Sequence, residues 1–283
     1  MIPASRSIAL VANPGSGEGG AESVADRLRA AGAAVEVFPP DRAEQAAASG
    51  AERLAIAGGD GSIAPAASAA GKAGIPVAVI PVGTANDFAA ATDLPGDPRE
   101  ACRLALEGER TRPIDLGRLG DRPFVNVASA GLAPKAARRA EGLKRALGSL
   151  AYLVGALRAG ARAHPVRCAL ACDGEPLFRG EAWQAIVACS GAFGAGASVG
   201  GAPDEGRLRA VAVPAGSRLS LLRRARGLRS GTIAGQPGVA AATCRTVELD
   251  LPAGTELNVD GELVESGPVT ARIEPAAFEL VVA

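Results

Sequence analysis

Glycine-rich segments follow three short apolar runs in the first third of the chain, and two of these segments contain an acid. They are Asn13-Pro14-Gly15-Ser16-Gly17, Gly58-Gly59-Asp60-Gly61-Ser62 and Gly83-Thr84-Ala85-Asn86-Asp87. Glycine leaves backbone N–H groups that phosphate oxygens can approach, and a carboxylate can hold a divalent cation. Together the three segments predict a site for a nucleoside triphosphate and its magnesium ion, with Asp60 as an exposed loop acid.

The first segment also fits a different cofactor. Gly15, Gly17 and Gly20 match the dinucleotide fingerprint G-x-G-x-x-G, and Glu36 follows about 20 residues later, where a ribose-binding acid is expected. A nicotinamide-dependent dehydrogenase is therefore a rival interpretation. Pro14 argues against it, because that fold needs a tight glycine turn directly after the strand. A P-loop NTPase is excluded, because no G-x-x-x-x-G-K-[ST] sequence occurs.

The composition narrows the remaining classes. The formal net charge is zero and aromatic residues make up 3%, which argues against a nucleic-acid partner. The five cysteines form no Cys-x-x-Cys pair and His164 is the only histidine, so we expect buried free thiols in a reducing compartment and no structural zinc. No signal peptide and no apolar run of bilayer length is recognised, which predicts a cytoplasmic protein.

The elements that would position the glycine-rich segments alternate between strand and helix through residues 7–108. This alternation predicts a doubly wound α/β parallel sheet, whose ligands bind beyond the carboxyl ends of the strands. After about residue 113 the pattern changes to β-hairpins, with favoured turns at Asp173-Gly174 and Asp260-Gly261. We predict a first domain at 1–122 and a β-rich second domain at 123–283, with a cleft between them. In an alternative division, the C-terminal strand returns to the first domain.

The motifs together resemble those of the diacylglycerol kinase catalytic-domain family, which includes soluble bacterial lipid kinases and the sphingosine and ceramide kinases. The likeness covers nearly the whole chain. The similar residues, in chain order, are Asn13-Pro14-x-Ser16-Gly17, Gly58–Ser62, Pro81-x-Gly83-Thr84-x-Asn86-Asp87-Phe88-Ala89, Ile114-Asp115 with Phe124-Val125-Asn126, and Asp260-Gly261-Glu262.

The resemblance implies a nucleotide-binding α/β domain, a β-sandwich-like lipid domain, ATP and Mg²⁺ as cofactors, and a lipid hydroxyl as the phosphate acceptor. It implies that Asp60 organises Mg²⁺ and the transferring phosphoryl group, and that the pair Asp260 and Glu262 removes the proton from the hydroxyl. The segment 200–211 resembles an acidic magnesium loop of the family and makes Glu205 a second metal ligand. The implied nucleotide-binding residues are Asn13, Ser16, Gly17, Gly58, Gly59, Asp60, Gly61, Ser62, Gly83, Thr84, Asn86, Asp87 and Asp115.

Four positions depart from the family pattern. Ala90 replaces a usual Arg, Pro65 a frequent Glu, Ser190 a common Asn, and Ala202 the first acid of the magnesium loop. A kinase of a soluble alcohol and a catalytically impaired nucleotide- or lipid-binding relative therefore stay open as alternatives, and so does a homodimer. Basic residues in 134–164 and 217–231 are compatible with peripheral contact with a membrane that carries the lipid substrate, although a solvated helix face packed by its leucines is the simpler interpretation.

Overall fold

The structure, a computed structural model, describes residues 6–13, 21–83, 85–132, 165–192, 197–217, 224, 227 and 230–283. The chain forms two compact units, the first made of Met1–Leu116 with Pro275–Ala283 and the second of Gly117–Glu274. Two strands, Arg110–Leu119 and Val269–Val282, contribute residues to both units. The first unit is therefore built from two separate parts of the sequence, and the second unit from one continuous part.

The first unit is a parallel sheet covered by helices. Its strands pair in the order β2-β1-β3-β4, and Leu280 near the end of the chain pairs beside Val77 at the β4 edge. This confirms the doubly wound α/β prediction. The elements are β1 (Ser7–Ala12), α1 (Ala21–Ala30), β2 (Ala34–Phe38), α2 (Ala43–Ala47), β3 (Arg53–Gly58), α3 (Asp60–Ala73), β4 (Val77–Pro81), α4 (Asp87–Ala91), α5 (Pro98–Glu107) and the first residues of β5 (Arg110–Leu119).

Helices cover both faces of this sheet. On one face, α1 and α5 bury Leu28 and Ala105 against Leu10 and Ile80 of the strands. On the other face, α3 packs on β3 and β4, and α2 packs on α3 and β1. Gly71, inside α3, lies against the last strand, where an added Cβ would clash with the Ala277 carbonyl oxygen. The lack of a side chain at Gly71 therefore allows this close packing.

Helix α5 is held at both ends by polar side chains. At its start the Asp97 carboxylate accepts the Arg99 N–H at 2.8 Å, a favourable N-cap. At its end the buried guanidinium of Arg53 donates to the carbonyl oxygens of Ala105 (2.5 Å) and Gly108 (2.8 Å). Burial, followed by the positive charge of Arg6, lowers the pKa of Arg53. An arginine nevertheless stays protonated, and its charge suits the negative end of the helix dipole.

The second unit is antiparallel. Its main path pairs in the order β14-β13-β7-β9-β8-β12-β15, while β10 pairs with β9 and β11, and β5 pairs with β6. The β-sandwich-like second domain is thereby confirmed. The strands are the end of β5, β6 (Arg122–Phe124), β7 (Val127–Gly131), β8 (Val166–Cys172), β9 (Glu175–Ala188), β10 (Leu208–Pro214), β11 (Ala240–Cys244), β12 (Thr246–Asp250), β13 (Thr255–Val259), β14 (Glu262–Ser266) and β15 (Val269–Val282).

Two apolar clusters lie on opposite faces of the central strand β9. Val187 belongs to the larger cluster, with Leu170 and Leu257, and the adjacent Ile186 belongs to the smaller one, with Trp183 and Val211. This alternation follows from the two-residue period of a strand that is buried on both faces.

The five cysteines are free and buried, as the sequence predicted. Burial raises the pKa of the Cys168 thiol to about 11, so this thiol stays protonated at neutral pH. Among the described residues, no helix combines the length and apolar character needed to cross a membrane.

Candidate functional site

Two of the predicted glycine-rich loops touch each other at the carboxyl ends of β3 and β4. The strands are neighbours in the parallel sheet, and the Val82 N–H donates to the Gly58 carbonyl oxygen at 3.3 Å. Beyond them the backbones of Gly59 and Gly83 come so close that a Cβ added to Gly83 would lie 2.6 Å from the Gly59 Cα. The sequence predicted this meeting at one sheet edge, and glycine is what permits the contact.

The carboxylate of Asp60 joins the same two loops. One of its oxygens accepts the Phe88 N–H at 2.9 Å and the other accepts the Asp87 N–H at 3.2 Å. These are the first two residues of α4, so an acid from one loop caps the helix that follows the other. Asp60 is half-buried, which corrects the expectation of an exposed acid. Phe88 is fully buried, with its ring 6.4 Å from that of Phe278.

The side chain of Asn86 closes its own loop. Its Oδ1 accepts the Gly83 N–H and its Nδ2 donates to the Gly83 carbonyl oxygen, both at 3.0 Å. Asn86 has a φ of 52°, a left-handed conformation that asparagine tolerates better than most residues. The two reciprocal bonds keep this loop in one shape next to Asp60.

Helix α3 begins in the other loop, directly after Gly58 and Gly59. Gly59 is its N-cap residue, and no side chain caps the helix there. The first turn runs through Asp60, Gly61 and Ser62, and an added Cβ at Gly58 would meet the Ser62 Oγ at 2.8 Å. The Ser62 N–H donates to the Gly59 carbonyl oxygen at 3.0 Å. The N–H groups that precede it have no acceptor within the helix, and the helix dipole favours an anion beside them. The residues present therefore fit a phosphate group.

The remaining predicted nucleotide-binding residues are not part of the two glycine-rich loops that meet at β3 and β4, or are not described by the structure. Asn13 is exposed directly after β1. Asp115 is buried, and its Oδ1 accepts the Ala276 N–H at 2.9 Å, so it holds the last strand where that strand has a φ of 48°. Ser16, Gly17 and Thr84 lie outside the described residues, as do the segment 134–164 and most of 217–231.

The predicted metal ligands do not form a metal cage. Among the described residues, no group of three or more His, Cys, Asp and Glu side chains could hold a metal ion. Glu205 is exposed in the turn before β10. Asp60 stands beside the phosphate-type site, and Mg²⁺ commonly binds through one or two carboxylates together with substrate phosphates and water. The donor set therefore fits magnesium carried by a nucleotide at Asp60, whereas Glu205 has no such support.

In the second unit, the predicted catalytic pair occupies the β13–β14 hairpin. Asp260 and Gly261 have φ values of 47° and 94°, as in a two-residue type I′ turn. Asp260 is buried and accepts three backbone N–H groups, from Val125 at 2.7 Å, Asn126 at 3.0 Å and Val127 at 2.8 Å. Its two carboxylate oxygens are therefore engaged in holding the segment between β6 and β7.

Glu262, the other member of the pair, is in a different environment. Its side chain is 56% exposed and one carboxylate oxygen lies 2.7 Å from the Arg122 guanidinium. Sequence reasoning did not identify Arg122, because its partner is 140 residues away. The pair thus consists of one buried, anchored carboxylate and one accessible carboxylate.

The identical tripeptide at Asp173 provides an internal comparison. Asp173-Gly174 also forms a hairpin turn with positive φ values, 49° and 83°, which confirms the turn prediction. Its carboxylate accepts the Thr246 N–H at 2.8 Å and the Arg245 N–H at 3.0 Å. Asp173 is exposed, whereas Asp260 is buried. Burial and a third amide, rather than the local sequence, distinguish Asp260.

Comparisons with known proteins agree with this arrangement. Residues 7–119 match the family described as diacylglycerol kinase catalytic domain, and residues 126–282 match the YegS C-terminal NAD kinase beta sandwich-like domain. The chain belongs to the diacylglycerol kinase catalytic-domain family. It is similar to the "Probable lipid kinase YegS-like" of Pseudomonas aeruginosa, with 31% identity over 252 residues, 84% of this chain and 78% of the relative.

Other members of the diacylglycerol kinase family show the same likeness. The YegS-like relative of Pseudomonas putida is 31% identical over 247 residues, which are 83% of this chain and 79% of the relative. A crystal structure of a diacylglycerol kinase from Bacillus anthracis covers 99% of this chain and 97% of its own, with a TM-score of 0.76 and 18% identity. The structural likeness establishes that the fold is that of the family.

The departures from the diacylglycerol kinase pattern have visible consequences. Ala90 is exposed on α4 and offers no cation there. Pro65 lies inside α3, which nevertheless continues to Ala73. Ser190, where asparagine is common in the family, donates its hydroxyl to the Asn126 Oδ1 at 2.8 Å, next to the amides that bind Asp260. No sequence signal pointed to this buried bond.

We predict that Gly83→Ala separates the two loops. The new Cβ would lie 2.6 Å from the Gly59 Cα and 2.8 Å from the Asn86 Oδ1, so backbone must move. We expect a loss of about 1–3 kcal/mol in stability, seen as a lower melting temperature. Gly59→Ala is the matched control, because its nearest neighbour would be at an ordinary 3.6 Å and its φ of −94° suits alanine. Equal melting temperatures for the two variants would contradict the close contact.

Proposed function

We propose that the protein is a lipid kinase that transfers the γ-phosphate of ATP, in the presence of Mg²⁺, to the hydroxyl of a diacylglycerol-like lipid. The observation that carries this proposal is the pair of glycine loops joined by Asp60. The names of the YegS-like relatives support the lipid kinase class. The lipid, and contact with the membrane that contains it, belong to the proposal.

The first unit would bind the nucleotide. Phosphate oxygens would accept N–H groups from the start of α3, Gly59 to Gly61, with the Ser62 hydroxyl and with Asn13, Ser16 and Thr84 as further partners. The Asp60–α4 bonds hold these groups before the nucleotide arrives, so little reorganisation is needed on binding. Preorganised donors of this kind contribute a large part of the stabilisation in phosphoryl transfer.

The magnesium ion would be held at Asp60 together with the phosphates. When bound, it neutralises charge on the transferring group. The Asp60 oxygens accept the amide hydrogens of Asp87 and Phe88, and an ionised carboxylate offers about four lone-pair sites in all. The same carboxylate can thus hold the two loops and face the ion.

The second unit would supply the proton acceptor. A lipid alcohol is a poor nucleophile at neutral pH, so a positioned base is required to take its proton as the oxygen attacks phosphorus. We assign this role to Glu262, whose carboxylate is accessible. Asp260 is a positioning residue in this scheme, because its oxygens are occupied by three amides.

Phosphoryl transfer to lipid tests the proposal directly. With radiolabelled ATP, Mg²⁺ and phosphatidylcholine vesicles containing diacylglycerol, we expect a labelled lipid phosphate. Glycerol without vesicles should not be labelled, because the proposal requires a lipid acceptor. Labelling of soluble alcohols alone would indicate a kinase of another substrate class. Binding of ATP without any transfer would indicate the impaired relative, and either result would overturn the lipid kinase assignment.

The assignment of the base predicts a selective defect. Glu262→Gln should lower kcat by about 10²-fold or more and leave the KM for ATP unchanged, because a base contributes to the chemical step. The fold should persist, since an exposed ion pair adds little stability. Glu265→Gln, an exposed glutamate on the same strand, is the control and should retain activity. Full activity of Glu262→Gln, or an equal loss of ATP binding, would refute the base role.

A further inference from the structure

A groove between helices α1 and α5 of the first unit is lined by an unusual group of side chains. Three arginines from the two helices border it, Arg27 from α1 and Arg99 with Arg103 from α5. Its volume is about 160 Å³. This is well above the roughly 10–15 Å³ needed for one water molecule. None of these residues belongs to the glycine-rich loops.

The lining of the groove carries three positive charges and one negative charge. Glu107 is the one acid among the lining residues. The side chains of Arg27, Arg99 and Arg103 make no ion pair or hydrogen bond within the part of the chain that the structure describes. Arg99 and Arg103 are four positions apart and therefore on the same face of α5, a spacing at which like charges repel.

Solvated single arginines are common, and Arg42 and Arg110 of this protein are examples. The groove differs because guanidinium groups from two helices border one concave surface. Cys102 lies at this surface and is buried; burial raises the pKa of its thiol, the positive charge of Arg27 lowers it and the negative charge of Asp97 raises it.

The chemistry of the lining selects an oxyanion. The planar guanidinium group donates two parallel hydrogen bonds, which match the spacing of oxygens on phosphate. A bound phosphate would relieve the repulsion between the three cations. We propose that this groove binds a phosphate group, carried either by a phospholipid headgroup or by free phosphate. The proposal does not depend on kinase activity, because it concerns residues outside the nucleotide loops.

The first test is a titration of the full chain with inorganic phosphate, against chloride at equal ionic strength, without nucleotide. The Nε–Hε signals of Arg27 and Arg103 in the NMR spectrum, assigned with the variants Arg27→Gln and Arg103→Gln, should shift together and saturate. The signals of Arg42 and Arg110 should not follow them. All four signals shifting alike, or none shifting, would show that free phosphate has no site in the groove.

The second test uses vesicles of phosphatidylcholine, alone or with phosphatidic acid. Cosedimentation of Arg27→Gln/Arg103→Gln with the acidic vesicles should be weaker by about tenfold or more, since each cation near the surface contributes to binding. The control Arg42→Gln/Arg110→Gln removes the same charge and should bind like the unmodified protein. The four residues are exposed, so the variants should fold.

The two tests together identify the source of the phosphate. Weaker vesicle binding by the groove variant alone supports a lipid headgroup. A saturable phosphate titration with unchanged vesicle binding supports free phosphate. If the groove variant and the control behave alike in both tests, the groove binds no phosphate and the proposal is overturned.

Discussion

The arrangement of the two glycine-rich loops in the candidate nucleotide site depends on one half-buried carboxylate, that of Asp60. Loops made of glycine lack the side-chain packing that fixes most backbone, and glycine loses more conformational freedom on ordering than any other residue. The Asp60 carboxylate offsets this cost with two bonds to the start of α4. Hydrogen bonds to a charged group contribute about 1.5–3 kcal/mol each, enough to keep both loops in one arrangement. Between the loops so held, the Gly59 and Gly83 backbones are in close contact.

Aspartate–amide bonds recur at other critical turns. Asp115 binds the amide of Ala276, Asp173 those of Arg245 and Thr246, and Asp260 those of three successive residues from Val125. In each case the partner is distant in sequence. The chain is rich in small residues and has 3% aromatics, so large side chains are scarce as anchors for its loops. Short acidic side chains that reach neighbouring backbone serve this purpose instead.

The sequence predicted the elements better than the contacts. Strand–helix alternation predicted the parallel sheet, because periodic apolar runs follow directly from burial on both faces. Asp-Gly predicted both hairpins, because the turn requires positive φ. The bonds of Asp60 and Asp260 could not be predicted, since their partners are backbone N–H groups, which every non-proline residue has. Helix α4 is five residues long and was missed, because its start depends on Asp60 rather than on a local capping residue.

The most direct measurement of the Asp60 arrangement is amide hydrogen exchange of the full chain, with and without a non-hydrolysable ATP analogue and Mg²⁺. The account predicts that the amides of Asp87 and Phe88 exchange slowly even without nucleotide, because Asp60 already binds them. It predicts that the amides from Gly59 to Gly61 become protected when the analogue is added. Rapid exchange at Asp87 and Phe88 in the free protein, or no change from Gly59 to Gly61 at saturating analogue, would contradict a preformed phosphate site.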